Sequence, residues 1–213
     1  MQKLSKENEQ IKGKTMRNRI TVFMLMTIAI LLNLNLKLTA QSQPKGWYVY
    51  KNANGLNNGT SWTNAWTSLS QINWNVMSDG DTLYISGGID SLVYNEPLGS
   101  IGRSNVTITK GKSTGHNGRV IIKAPTAGSG TAVQVLSKSN VKISKLEFHN
   151  WGSNIYLNGI INKFYLDSNK IINSYGGFVT TGGGYDTTTP KQNIWITNNY
   201  ITTSTWSTDQ CEF

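Results

Sequence analysis

Three segments in the second half of the chain repeat one pattern of apolar and polar positions. They superpose without gaps at residues 140–150, 163–173 and 193–203. Each has two apolar residues one position apart, then a corner, then a further apolar residue: Val141, Ile143 and Phe148; Phe164, Leu166 and Ile171; Ile194, Ile196 and Ile201. Short stretches of period two, rich in β-branched residues and broken by corners, predict strands rather than helices.

The spacing of the copies predicts how these strands are arranged. The copies lie 23 and then 30 residues apart, and a third short strand precedes each one, at 133–135, 155–157 and 178–180. Repeats of about 20 to 50 residues indicate a solenoid or a propeller, and a propeller blade needs four strands in about 40 residues. Three strands in so short a unit therefore predict an all-β chain in which each unit is one turn of a parallel β-helix.

The corner position of the repeat is Leu146 in the first copy and asparagine, Asn169 and Asn199, in the next two. In a parallel β-helix equivalent residues stack, so these asparagines would form a ladder in which each amide satisfies its neighbour. The alternative is that asparagine is present only because it tolerates a left-handed corner.

About four turns are expected, and the first is predicted to use strands at 83–85, 106–108 and 120–122, with 90–104, 110–118 and 174–192 as loops. Long loops in a compact solenoid are often functional, and loops on one face can border a groove for an extended sugar chain. The aromatic residues best placed to bind such a substrate are Trp151, Tyr156, Tyr175 and Tyr185. The alternative, that they are ordinary loop and surface aromatics, remains open.

The segment before the first turn is predicted to be an N-terminal cap over residues 41–81. A strand at 47–50 is followed by apolar residues at helical spacing from 65 to 77, and Asn64 is a suitable N-cap. An amphipathic helix here would cover the open end of the solenoid. Three tryptophans in this segment fit packing in the cap, although a sugar-binding platform is the alternative: Trp62, Trp66 and Trp74.

Residues 1–40 read as a leader with a secretory signal. Arg17 and Arg19 precede an uncharged apolar run at 20–36, and a cut after Ala40 fits the small residue that such signals require. An uncleaved anchor is the alternative, because the run approaches the length needed to span a bilayer. With a cleaved signal, the remaining chain at 41–213 has no predicted membrane span.

Charge and cysteine content narrow the classes of function. The chain has a formal net charge of +9, but residues 41–213 hold 13 basic against 9 acidic residues, a net of +4. Scattered basic residues argue against nucleic acid and are compatible with an anionic polysaccharide. Cys211 is the single cysteine, so no internal disulfide can form. His116 and His149 lie far apart in the sequence without acidic or cysteine partners, so no metal site is predicted.

Several stretches resemble a known family. The sequences at 47–50, 58–62, 65–66 and 80–88 look like the N-terminal cap and first turn of secreted bacterial right-handed β-helix proteins of the pectate-lyase-like superfamily. The resemblance covers about 41–213. It implies a right-handed parallel β-helix with an N-terminal capping helix, an extracellular or cell-surface location and a polysaccharide partner. Because the superfamily includes lyases, hydrolases and adhesins, it implies no single activity.

Two functions are carried forward. The first, and the leading one, is a lyase-type enzyme that cleaves an anionic, uronate-containing glycan, for which the resemblance alone suggests Ca²⁺. The second is a non-catalytic adhesin or glycan-binding protein. The acidic residues look isolated in the sequence, so no catalytic residue is assigned. Residues 82–213 are expected to be the first turns of a longer β-helix, because no capping element follows Ile201.

Overall fold

The computed structural model describes residues 16–19, 21–28, 43–181 and 190–203. The chain divides into two compact units, Met1–Gln43 and Pro44–Phe213. In the first unit, residues 16–19 and 21–28 are helical. Within the described residues, no helix is both long and apolar enough to cross a membrane.

The second unit is built from short β-strands and two single-turn 3-10 helices. The 3-10 helices are Leu69–Gln71 and Trp74–Val76. The described residues form fifteen strands: β1 (Gly46–Val49), β2 (Thr82–Ile85), β3 (Ser91–Tyr94), β4 (Gly99–Ser100), β5 (Val106–Lys110), β6 (Arg119–Lys123), β7 (Ser129–Leu136), β8 (Val141–Ser144), β9 (Glu147–His149), β10 (Trp151–Asn158), β11 (Ile161–Asp167), β12 (Lys170–Ser174), β13 (Val179–Thr181), β14 (Lys191–Thr197) and β15 (Tyr200–Thr203).

The strands form three parallel sheets. Sheet A has the order β1-β2-β5-β8-β11-β14, sheet B has β3-β6-β9-β12-β15, and sheet C has β4-β7-β10-β13. From β2 onward the chain therefore enters sheets A, B and C in the same cyclic order, and each strand pairs in parallel with the strand one cycle later. The expectation of a mainly β, parallel-sheet structure is confirmed.

The strand register confirms the superposition of the three sequence copies. Phe164 pairs with both Val141 and Ile194, and Ile171 lies beside Phe148. These side chains belong to one continuous core, in which Phe148, Phe164 and Ile171 are completely buried. Because side chains alternate between the two faces of a strand, the intervening polar residues lie on the outer faces of the sheets.

Two details of the expected fold are wrong. The stretch 90–104 is not a loop, because it contains β3 and β4, which complete the first passage through sheets B and C. As a result, the strand at 106–110 pairs with β2 and begins the second passage. Tyr94 and Leu98 are buried in this short connection, which explains how two brief strands are held there.

The expected α-helix at 65–77 is also not formed, since only the two 3-10 helices occur there. Polar side chains compete for the backbone of this segment: Asn73 accepts a hydrogen bond from the Asn75 amide, and Gln71 accepts one from the Thr67 amide. The segment still packs on the core through Leu69, Ile72 and Met77.

The asparagine ladder is present at the corner between sheets A and B. The Asn169 amide nitrogen donates to Asn199 Oδ1 at 3.1 Å and to the Ile143 carbonyl at 3.0 Å. Asn169 Oδ1 accepts from the buried Leu146 backbone amide at 3.1 Å, so the side chain links residues of three successive turns. Both of its polar groups are thus satisfied although Asn169 is only 1% exposed.

Candidate functional site

The outer face of sheet B carries a cluster of titratable side chains, which we call the Glu147 cluster: Arg119, Lys123, Glu147, His149 and Lys170. Strands β6, β9 and β12 each point apolar residues inward and polar residues outward. The register places Glu147 between Ile121 and Lys170, and His149 between Lys123 and Ile172. Neighbouring parallel strands lie about 4.8 Å apart, so side chains from three strands meet.

Glu147 is the centre of this cluster. Arg119 donates to it through both Nε, 2.8 Å from Oε1, and Nη2, 2.6 Å from Oε2. Lys170 Nζ lies 3.6 Å from Oε1 on the other side. The Glu147 side chain is 7% exposed, whereas those of Arg119 and Lys170 are more than half exposed. The carboxylate is therefore covered by cations that themselves face solvent.

The environment keeps Glu147 ionised. The Arg119 hydrogen bonds lower the pKa of Glu147 from 4.5 to about 2, against the opposing effect of burial. The same contact raises the pKa of Arg119. Bidentate pairing of a guanidinium with a carboxylate is among the stronger polar contacts in proteins.

His149 is held in its neutral form beside this carboxylate. Its Nε2 lies 3.2 Å from Glu147 Oε2, which could suggest an ion pair, but burial lowers the pKa of His149 and outweighs the attraction of Glu147. Because an ionised carboxylate can only accept, Nε2 must carry the hydrogen, which leaves the lone pair on Nδ1. No hydrogen bond to Nδ1 is made by any residue that the structure describes. Nδ1 of His149 is thus left as an acceptor without a partner among the described residues.

The cluster borders a depression of about 470 Å³ on the surface of sheet B. Its walls are formed by Arg119, Glu147, His149 and Lys170, together with Ile172 and Tyr200. Tyr200 is 59% exposed and follows Glu147 and Lys170 in register across the sheet. A ligand in this depression could therefore contact a cationic side chain, the neutral imidazole of His149 and the phenol of Tyr200.

The structure does not bring together the aromatic residues that were predicted to bind substrate. Trp151 is only 2% exposed and its indole donates to the Ile122 carbonyl at 2.9 Å, which corrects the expectation that it lines a groove. Tyr156 lies on the outer face of sheet C, in register with Gln134. Tyr175 is 37% exposed, directly after β12 and beside Gly128. Tyr185 lies outside the described residues. Neither Tyr156 nor Tyr175 borders the depression at the Glu147 cluster.

From the sequence, the acidic residues look isolated and His149 has no acidic partner, so the cluster was not predicted. Part of it could have been found, because the superposed copies place Glu147, Lys170 and Tyr200 at one position of the repeat. Arg119 lies outside the copies, in the turn whose strands were assigned incorrectly, so its approach to Glu147 needed the structure.

The residues that the structure describes do not fit the Ca²⁺ that the resemblance suggested. Calcium requires six to eight oxygen ligands, usually with several carboxylates. Within the described ranges no group of three or more acidic, histidine or cysteine side chains is placed to hold a metal ion. Glu147, the carboxylate of the cluster, is already bound by Arg119.

Comparisons with protein-family models, with curated proteins and with solved structures gave no match for this chain.

Proposed function

We propose that this chain is a secreted right-handed parallel β-helix of the pectate-lyase-like kind. The cyclic order of the strands through three parallel sheets supports a β-helix, since each passage stacks on the previous one. The leader at residues 1–40 supports secretion, because a basic start, an apolar run and a small residue make a signal sequence.

Its substrate is a uronate-containing polysaccharide that binds on the outer face of sheet B. The observation that carries this proposal is the Glu147 cluster, in which three cations surround a single carboxylate and a neutral imidazole. With Arg119, Lys123 and Lys170 positive and Glu147 negative, the surface holds a net positive charge. A uronate carboxylate would be attracted to Lys170 and to the exposed edge of Arg119.

The same groups suit β-elimination. The cations neutralise the uronate carboxylate, which makes the hydrogen at C5 more acidic. His149 Nδ1 takes that proton, the electron pair of the broken C5–H bond forms a C4=C5 double bond, and the C4–O bond breaks. The Tyr200 hydroxyl, on the same depression, protonates the departing oxygen. General acid–base catalysis of this kind typically contributes about 10²- to 10⁴-fold.

The test uses purified protein with polygalacturonate, alginate and hyaluronan. Cleavage produces a conjugated double bond, seen as new ultraviolet absorbance, and binding is measured separately by calorimetry. We expect His149→Gln to lower turnover by about 100-fold or more while binding stays near wild type. Lys170→Met should weaken binding by about tenfold. Lys138→Met, which makes the same charge change outside the cluster, serves as the control and should leave both unchanged.

A non-catalytic glycan-binding protein is the second candidate. The observation that favours it is that Arg119 binds both oxygens of Glu147, the one carboxylate of the cluster. The cluster therefore has no free carboxylate for catalysis. Binding that depends on Lys170, without new absorbance on any of the three polysaccharides, would support this candidate against the lyase. Absence of binding to all three would refute both.

A further inference from the structure

A second surface, on the outer face of sheet A, combines stacked aromatic rings with polar groups. Thr107, Lys142, Tyr165 and Trp195 follow one another in register across β5, β8, β11 and β14. The rings of Tyr165 and Trp195 stack with their centroids 4.5 Å apart and their planes 4° from parallel. Trp195 therefore covers one face of the Tyr165 ring.

The other face of Tyr165 borders a depression. Its volume is about 310 Å³, and besides Tyr165 it is lined by residues of the preceding turns: Gly80, Asn105, Val106, Thr107, Asn140 and Lys142. Trp195 is not part of this lining, which places the depression on the side of the Tyr165 ring away from Trp195. A ring entering it would extend the stack of two aromatics by one further member.

The polar groups around the depression are arranged in advance. Asn105 donates to Asp79 Oδ2 at 2.8 Å and accepts from Asn140 Nδ2 at 3.1 Å, so both side-chain amides are fixed. Asn140 Oδ1 and Thr107 Oγ1 make no hydrogen bond to any described residue. An acceptor, a hydroxyl and the Lys142 ammonium are thus available to a ligand that lies against Tyr165.

The charge on this surface is nearly balanced, unlike that of the Glu147 cluster. Asp79 lies 3.8 Å from the Arg103 guanidinium and accepts from Asn105, which lines the depression, and Asp167 feels the charge of Lys142. Hydrogen bonds from Asn198 and Thr197 are the main causes that lower the pKa of Asp167, and the Lys142 charge contributes. A ligand with its own negative charge gains little here, because Lys142 is already close to an acidic group.

We propose that this depression is a binding site for a neutral pyranose residue of a polysaccharide. The sugar would place its C–H face on Tyr165 and its hydroxyls toward Asn140, Thr107 and Lys142. The face of an aromatic ring carries partial negative charge, so it attracts the polarised C–H hydrogens of a sugar. The site is separate from the Glu147 cluster, because it lies on another sheet and selects an uncharged ligand. It does not depend on the function proposed above.

The proposal is tested by calorimetry with four neutral hexasaccharides, built from glucose, mannose, galactose and xylose. We expect at least one of them to bind. Tyr165→Ala should weaken that binding by about tenfold, whereas Tyr165→Phe, which keeps the ring, should stay within about threefold. Tyr156→Ala removes an aromatic ring from sheet C and should have no effect, as should Lys170→Met on sheet B.

A second variant, which fills the depression, distinguishes loss of the site from a folding defect in Tyr165→Ala. Lys142→Trp places an indole beside Tyr165, where it would occupy the depression and continue the stack. We expect the loss of hexasaccharide binding with an unchanged or higher melting temperature, because an aromatic is favoured on a strand surface. The proposal is overturned if none of the four sugars binds, or if binding survives both Tyr165→Ala and Lys142→Trp.

Discussion

Replacing Glu147 with glutamine tests whether the charged cluster on sheet B stabilises the fold as well as shaping the surface. The pKa of Glu147 falls from 4.5 to about 2 in the folded protein. Each pKa unit corresponds to about 1.4 kcal/mol, so the folded state favours the carboxylate by about 3 kcal/mol at most. Because the Arg119 side chain is 55% exposed, solvent screens the pair, and we expect Glu147→Gln to cost about 1–2 kcal/mol at pH 7.

The pH dependence separates this effect from a packing defect. The pKa of Glu147 is lower in the folded state, so its contribution is fully present above about pH 4.5 and is lost as the pH falls toward 2. Urea unfolding of wild type and Glu147→Gln between pH 7 and pH 2.5 should therefore show two stability curves that converge on acidification.

Asp90→Asn is the matched control, since Asp90 is exposed and its side chain makes no hydrogen bond or ion pair with a described residue. It should change the free energy of unfolding by less than about 0.5 kcal/mol. The reasoning is refuted if the two variants behave alike, or if the loss in Glu147→Gln is the same at every pH.

Three further predictions concern the core, the ladder and the histidine. Phe148→Ala should lower the free energy of unfolding by about 3–5 kcal/mol in urea titrations, because it empties a fully buried site in sheet B; a loss below 1 kcal/mol would contradict the packing. Asn169→Ala should cost about 2–4 kcal/mol, because the buried Leu146 amide loses its acceptor, while Asn162→Ala, on an exposed rung with ordinary backbone angles, should cost under about 1 kcal/mol. The pKa of His149 is lowered by burial, so the unfolded chain binds a proton more readily and stability should fall as the pH drops through about 6.5. His149→Gln should reduce that slope in thermal melts between pH 7.5 and 5, and an unchanged slope would argue against a buried neutral imidazole.

The repeated part of the chain was predictable residue by residue. The sequence copies placed Phe164 over Val141, and the strands pair that way, because each position of the repeat faces either the core or solvent. The same logic predicted Asn169 beside Asn199, since a buried corner amide needs a partner from the next turn. Wherever the sequence repeats, the spacing of apolar residues and the need of buried polar groups for hydrogen bonds were sufficient to predict the structure.

Prediction failed where the chain does not repeat. The strand β3 was missed because its partners come from β6, outside the superposed copies, and only pairing reveals that Leu92 lies beside Val120. Trp151 was expected to line a groove bordered by loops, but its ring is buried in the core, where the Ile122 carbonyl accepts from its indole. The Glu147 cluster joins side chains from three strands, so its charge balance appears only when outer faces are compared across turns.

The register is the same on both sides of Phe164 even though the connecting chain differs in length. The residue pairs with Val141, 23 positions earlier, and with Ile194, 30 positions later. The longer connection is accommodated without moving a strand, so the outer surface and the scaffold can vary independently. A peptide inserted in such a connection should change which partners the protein binds while leaving its melting temperature almost unchanged. The chain is therefore a candidate scaffold for grafted recognition segments.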